Sequence, residues 1–317
     1  MKDKLIVSPA PNITKDYTTN SLMYLMVVAL LPTAISGIIN FGMNALYLIL
    51  LSIGCCYVFD MVFSYLKTRN VNFFDFSSVV TGLVIALTLP VSAPLYFVVI
   101  GSFIAIVIIK GCFGGIGKNI FNPAGVARVV LGFIFSGLSL EMFKGIALDG
   151  VVASPLSYFS IGDYSTITLR SMFFGSAPGA IGTVSIICIL ITGVVLMCLS
   201  VTDFIIPLGA FVAFMITTWV GSDAIAIVPY LLSGSFAFVT LFMLPEPTSS
   251  PNTVWGKLFY GLIFGLLAGL FRVYSVLGET GVFVALLIVN MLSHLLDKIF
   301  MPRPLGFKKG DAVYVQK

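Results

Sequence analysis

The chain has 317 residues, 59% of them hydrophobic and only 9% charged, with 17 Lys and Arg against 13 Asp and Glu. A soluble domain carries about 25% charged residues, so a mean hydropathy of +1.09 over this length argues against a water-covered fold. Intrinsic disorder, a nucleic-acid-binding domain and a secreted disulfide scaffold are disfavoured together, and the composition predicts an all-α polytopic membrane protein.

Residues 1–20 are polar, carry Lys2, Lys4 and Lys15, and do not read as a cleavable leader. A membrane-crossing helix needs about 20 apolar residues, and ten segments approach that: Ser21–Ile39, Ala45–Leu66, Phe76–Leu89, Pro94–Ile109, Pro123–Leu138, Ala180–Ser200, Phe204–Val220, Val228–Leu244, Val254–Val276 and Gly281–Phe300. The third is short and stops at Pro90. The eighth stops at Pro245, before the polar run Glu246-Pro247-Thr248-Ser249-Ser250-Pro251. Proline cannot donate a backbone hydrogen bond and ends helices. Irregular backbone at membrane depth survives only inside protein or along a cavity, so both breaks are candidate site positions.

Basic residues flanking the segments set the expected orientation. Lys2, Lys4 and Lys15 precede segment one, Lys67 and Arg69 follow segment two, and Arg303, Lys308, Lys309 and Lys317 follow segment ten. Ten crossings then place both termini, with Lys110 and Lys118, in the cytoplasm, and the connection 139–179 outside. Thr81-Gly82 through Leu89-Pro90 in the first half echoes Ser233-Gly234 through Leu244-Pro245 in the second. Five crossings per half make equivalent helices run in opposite directions, which predicts two inverted five-helix repeats, 21–138 and 180–300, with short broken helices at their interface. Residues 301–317 form a cytoplasmic tail.

The run from Lys110 to Ala124 carries Gly114, Gly115, Gly117, Lys118, Asn122 and Pro123. Asn122 is a good N-cap and Pro123 suits a first helical turn. With Lys118 and Arg128 alongside, the helix start is either an anion site or a tight loop that lets two helices pack closely. Arg128, one turn beyond the Asn-Pro start, faces an anion or pairs with a neighbour. Asp60 and Arg272, near segment ends, are expected to snorkel. His294, beside Ser293 and one turn from Asp297, is a proton carrier or, on the commoner reading, a hydrogen-bonded interface histidine, and Trp219 and Trp255 read as interface anchors. Thr248, Ser249 and Ser250 form either a ligand site or a satisfied turn. The five cysteines lack metal-ligand spacing and read as small buried hydrophobes.

The glycine-rich run, together with Ile6-Val7-Ser8-Pro9-Ala10-Pro11 and Leu87-Thr88-Leu89-Pro90, resembles the D subunit of the Rnf electron-transport complex. Pro178-Gly179-Ala180-Ile181-Gly182 and Met301-Pro302-Arg303 extend the likeness, and the B subunit of the sodium-pumping NADH:quinone oxidoreductase shares the core. What the resemblance implies is a flavin-carrying component of a bacterial redox pump. It would relay electrons between ferredoxin and NAD(H) with coupled Na+ or H+ translocation, in the inner membrane. It also implies FMN on a threonine hydroxyl in a short motif after an aspartate. Here the corresponding run is Asp149 to Leu156, and Ser154 stands where the acceptor threonine would. The motif's first hydroxyl is missing, so FMN bonded to Ser154, FMN held without a bond, and an altered site all stay open. Thr183 replaces a glutamate common in relatives.

By the same resemblance Asn122, Arg128, Lys118 and Thr248 are candidate flavin-binding residues, and a second flavin such as riboflavin would sit among the helices. Implied partners are the other Rnf subunits (A, B, C, E and G), an external flavoprotein among them, a flavin-attaching maturation enzyme, and membrane lipid. Nucleic acid is not among them. A channel or secondary transporter of the inverted-repeat type and a non-redox scaffold within the same complex are the competing readings.

Overall fold

The computed structural model describes residues 19–69, 76–113, 117, 119–134, 159, 168–222, 227–233, 235–274 and 277–301. Its helices in chain order are α1 (Thr19–Phe41), α2 (Met43–Thr68), α3 (Phe76–Thr88), α4 (Leu95–Phe103, continued as a π-helix over Ile104–Gly111), α5 (Pro123–Ile134) and α6 (Leu169–Phe174). Then come α7 (Ile186–Cys198), α8 (Ile205–Gly221), α9 (Ile227–Leu232), α10 (Phe236–Phe238, continued as a π-helix over Val239–Met243), α11 (Val254–Val273) and α12 (Gly281–Ile299). Among the described residues α1, α2, α11 and α12, with the turn at Gly278 counted into the last, are long and apolar enough to cross a membrane. The other apolar helices are shorter. The all-α polytopic architecture expected from composition is the one observed.

The long helix α1 buries one stripe and leaves the rest exposed, whereas α3 and α10 have no exposed residue. On α1 the buried residues are Ala29, Leu30, Thr33, Ala34 and Gly37, at three- and four-residue spacing, while Tyr24, Val28, Leu31, Ile35 and Ile39 are exposed. Trp219 and Trp255 are also exposed, near helix ends. In the second half α8 and α11 lie parallel and very close. A Cβ at Gly265 would overlap the Ala210 carbonyl, one at Gly261 the Ile206 carbonyl, and one at Gly269 would lie 2.8 Å from Thr217 Cβ. Small residues at four-residue spacing allow this backbone approach. Beside the pair, Phe236 stacks on Phe214 with ring centroids 3.8 Å apart.

Helix directions follow from contacts. The end of α1 meets the start of α7, because Asn40 and Ser185 both lie against Gly175 and Gly37 lies against Ile181, so the first helices of the two halves run antiparallel. Lys67 Nζ donates to the Gly111 carbonyl at 3.4 Å, which brings α2 and α4 to the same end. The second and fourth helices are thus parallel in the first half, as α8 and α11 are in the second. These pairings are those of inverted halves.

Three expectations are corrected. Segment six does not start at Ala180; α7 begins at Ile186, and Ala180–Ser185 is irregular backbone. Segment eight is interrupted before its proline, with Ser233 between α9 and α10. The short helix α6 lies in what was expected to be loop.

Candidate functional site

Each of the two breaks receives a hydrogen-bond partner from the opposite half. At the end of α3 the last carbonyls have no helical partner. Gly182 N–H donates to the Leu87 carbonyl at 2.8 Å and Ile181 N–H to the Leu89 carbonyl at 3.0 Å, and Pro90 and Ala180 form an isolated antiparallel bridge. Gly182 is required here, since a Cβ on it would lie 2.6 Å from Leu87 Cβ. Arg128 supplies the remaining partner, its Nε donating to the Thr88 carbonyl at 3.1 Å. A cation at a helix C-terminus also suits the helix dipole. Arg128 is 4% exposed and its guanidinium lies 5.4 Å from the centroid of the Phe283 ring. Of the two roles open from the sequence, the structure displays contacts to neighbouring protein groups.

At the end of α10 the arrangement is reversed. Asn122 Nδ2 donates to the Met243 carbonyl at 3.3 Å, and Asn122 Oδ1 accepts from Gly125 N–H at 3.0 Å as the N-cap of α5. With the Asn290 amide turned so that its oxygen faces α5, that oxygen accepts from Asn122 N–H at 3.0 Å, and its nitrogen donates to Tyr260 Oη at 2.5 Å and to the Leu286 carbonyl at 3.2 Å. Beyond Pro245 the chain turns on itself, Ser249 and Ser250 N–H both donating to the Glu246 carbonyl at 3.3 and 3.1 Å. Ser249 Oγ is 3.5 Å from Glu246 Oε2. Thr248 Oγ1 is buried and has no hydrogen-bond partner among the described residues. Asn122 and Thr248 therefore belong to one break, whereas Arg128 serves the other. Lys118 and Ser154 lie outside the described residues.

Two charges expected to snorkel are instead engaged within the protein. Arg272 is 1% exposed and its Nη1 donates to Ser233 Oγ at 3.0 Å and to the Ser233 carbonyl at 3.2 Å. Asp60 Oδ2 accepts from Lys110 Nζ at 3.0 Å. Lys110, counted from sequence as a flanking loop residue, is 5% exposed and also donates to Ser77 Oγ at 2.7 Å. Asp297 caps α11, accepting from Asn252 and Thr253 N–H at 2.9 and 3.0 Å. Sequence reasoning missed these clasps. A serine in the first turn after a loop and a basic residue in a last apolar turn was the available signal.

The described residues include a surface cleft that can be tested against a bound flavin. Thr168, Arg170, Ser171, Phe174 and Ser176 line an open cleft of about 360 Å³ beside α6. Pockets for such groups occupy about 300–1,000 Å³. A guanidinium, three further hydroxyl side chains and an aromatic face fit a phosphate-bearing aromatic group. The junction of Asn122, Asn290, Tyr260 and Met243 is packed and its amides are already bonded.

The sequence model of the NQR2, RnfD, RnfE family matches residues 6–306. The chain is 28% identical over 97% of its length to the D subunit of the proton-translocating ferredoxin:NAD(+) oxidoreductase complex of Clostridium ljungdahlii, covering 98% of that protein. It is 30% identical to the D subunit of the Na(+)-translocating ferredoxin:NAD(+) oxidoreductase complex of Acetobacterium woodii, over 96% of both chains. Against the B subunit of the Na(+)-translocating NADH-quinone reductase of Chromohalobacter salexigens the identity is 31%, over 85% of this chain and 68% of the other.

Proposed function

The chain belongs to the NQR2, RnfD, RnfE family, and from that premise we propose that it is the D subunit of an ion-translocating ferredoxin:NAD oxidoreductase, a multi-pass membrane component of a larger complex. The observation that carries this reading is co-extension: the match to D subunits from two organisms spans at least 96% of the chain and of each relative. The NADH-quinone reductase relative is matched over only 68% of its length, which favours the D type.

The reading includes FMN at the outer face, on Ser154, with the α6 cleft as the candidate pocket for it. Arg170 would meet the phosphate by charge and Phe174 would offer an apolar face to the ring. When bound, FMN supplies one- and two-electron chemistry that no side chain offers. The chain's own part is to position and to insulate. Its breaks hold irregular backbone at membrane depth with their carbonyls satisfied, and its apolar helices exclude water around them. Basic flanks at 2–15, 67–69 and 303–317 orient both termini to the cytoplasm. The assembly would sit in a bacterial inner membrane with the other Rnf subunits.

The test is a denaturing gel of the purified complex viewed for flavin fluorescence. A fluorescent band at about the 34.1 kDa of this chain, lost in Ser154→Ala and kept in Ser154→Thr, supports the reading. A band absent from this chain while the complex still transfers electrons refutes the attachment.

A further inference from the structure

Phe159 is the described residue nearest along the chain to Ser154, and it is not on the surface. It is 2% exposed and belongs to the hydrophobic core. Its partner is Tyr230 on α9, itself buried, 71 positions further along. The two rings meet edge to face with centroids 6.0 Å apart, and Tyr230 Oη donates to the Phe159 carbonyl at 3.4 Å. Edge-to-face packing suits the ring quadrupoles, and a buried tyrosine hydroxyl needs an acceptor. Tyr230 therefore grips both the side chain and the backbone of residue 159.

The grip is itself fixed. The Tyr230 carbonyl accepts from Ser233 Oγ at 3.2 Å, and Ser233 accepts from the buried Arg272 of α11 through both its carbonyl and its hydroxyl. A helix of six residues is too short to hold its shape alone, so this guanidinium fastens α9 from the neighbouring long helix. On another side α9 packs against α6, which with its flanking residues lines the surface cleft. Arg272, Ser233, Tyr230 and Phe159 form one line of contacts, from α11 to the connection between the halves.

We propose that Tyr230 is a positioning residue for flavin attachment: by holding Phe159 on α9 it keeps the Ser154 hydroxyl within reach of the α6 cleft. The inference rests on attachment at Ser154 as proposed above. That attachment joins Ser154 Oγ to the flavin phosphorus of a diphosphate-activated flavin. It breaks the bridging phosphorus–oxygen bond, releases the other half as a phosphate monoester, and gives the hydroxyl proton to solvent. Five positions separate Ser154 from Phe159, which at full extension is about 18 Å. Counted to Thr168, the first residue at the cleft, the tether is fourteen positions. The effective concentration of a tethered group falls as about the −3/2 power of tether length, so cutting the anchor lowers it about fivefold. Tyr230 acts through Phe159 and takes no part in electron transfer.

The test uses the whole complex, purified from cells that attach flavin. It reads flavin fluorescence per mole of this chain on a denaturing gel, alongside thermal unfolding. Phe159→Ala and Tyr230→Ala should each lower flavin per assembled chain about fivefold. Tyr230→Phe keeps the ring and loses one long hydrogen bond, so it should stay within about twofold of the parent. Gly37→Ala, which loosens the first break, is the control for lost stability and should keep its flavin. If the alanine variants do not assemble, Phe159→Leu takes their place. It gives up the ring contact and should lose more flavin than Tyr230→Phe. Parental flavin in the assembled alanine variants, or failing those in Phe159→Leu, overturns the anchor. Flavin lost to the same degree in Gly37→Ala also overturns it. A parent chain without flavin overturns the attachment itself, and the anchor role falls with it.

Discussion

At the end of α3, three successive carbonyls are taken by two backbone N–H groups of residues 181–182 and by the Arg128 guanidinium. At the end of α10, one amide side chain, Asn122, holds the Met243 carbonyl, and the chain beyond Pro245 closes on its own Glu246. The first break is therefore built like a short piece of sheet edge, rigid and backbone-made. The second is a side-chain junction, in which Asn122 serves α10 and α5 at once. In both cases the opposite half supplies a partner, residues 181–182 to α3 and Asn122 to α10, with Arg128 adding one from α3's own half, so each broken helix leans on the other half. Irregular backbone in an apolar setting has few ways to be satisfied, and two inverted halves have met that requirement by different chemistry.

Substitutions can break this comparison, and the largest effect is expected at the backbone-made junction. Gly37 on α1 lies under residue 181, and a Cβ there would overlap the Ile181 carbonyl and lie 2.7 Å from its Cγ2. Gly37→Val should push residues 180–182 away from α3 and leave the Leu87 and Leu89 carbonyls without partners. Overpacking of this kind costs about 1–3 kcal/mol and each abandoned buried carbonyl about 1–3 more. Thermal unfolding in detergent should show a loss of several degrees or failure to assemble, while Gly37→Ala should lose less. Equal, small losses for both would mean that this junction is not the rigid one.

An intermediate effect is expected at the side-chain junction. Asn122→Ala removes the N-cap of α5, worth about 1 kcal/mol, and the Met243 partner together. Asn122→Asp restores the cap acceptor but cannot donate to Met243, so it should recover only part of the loss. If Asn122→Asp matched the parent in thermal unfolding, the bridge between halves would contribute nothing and the two breaks would be independent.

Much of this frame is legible in the residues themselves. Pro90 and Pro245 mark both breaks because proline has no N–H to offer, and Asn122-Pro123 marks the start of α5 because cap and first-turn preferences are local. What completes each break is not local. Ala180–Ser185 lies in an apolar run that any hydropathy window joins to the helix after it, and its contact with α3 explains why it stays out of that helix. Lys110 and Arg272 read as flanking charges because a sequence gives distance along the chain and not depth in the bundle. Their partners Ser77, Ser233 and Asp60 lie 33 to 50 positions away along the chain. The glycines at 261, 265 and 269 do carry a readable four-residue period, and their meaning, a parallel α8–α11 contact, needs the partner helix.

The smallest effect is expected at Thr248, and it sharpens the comparison most economically. Its hydroxyl is buried without a partner among the described residues, although its position in the second break made it a candidate flavin contact. A buried hydroxyl that makes no hydrogen bond stabilises nothing, and replacing it by an isosteric methyl relieves a desolvation cost. Thr248→Val should therefore shift stability by no more than about 0.5 kcal/mol, or raise it slightly, as Asn122→Ala cannot. Flavin content per complex, measured after extraction, gives a separate readout. Unchanged flavin with unchanged stability would make Thr248 a passive turn residue and leave the second break held by Asn122. Flavin lost with stability kept would give the hydroxyl a ligand, and would turn the looser of the two breaks into the one that binds.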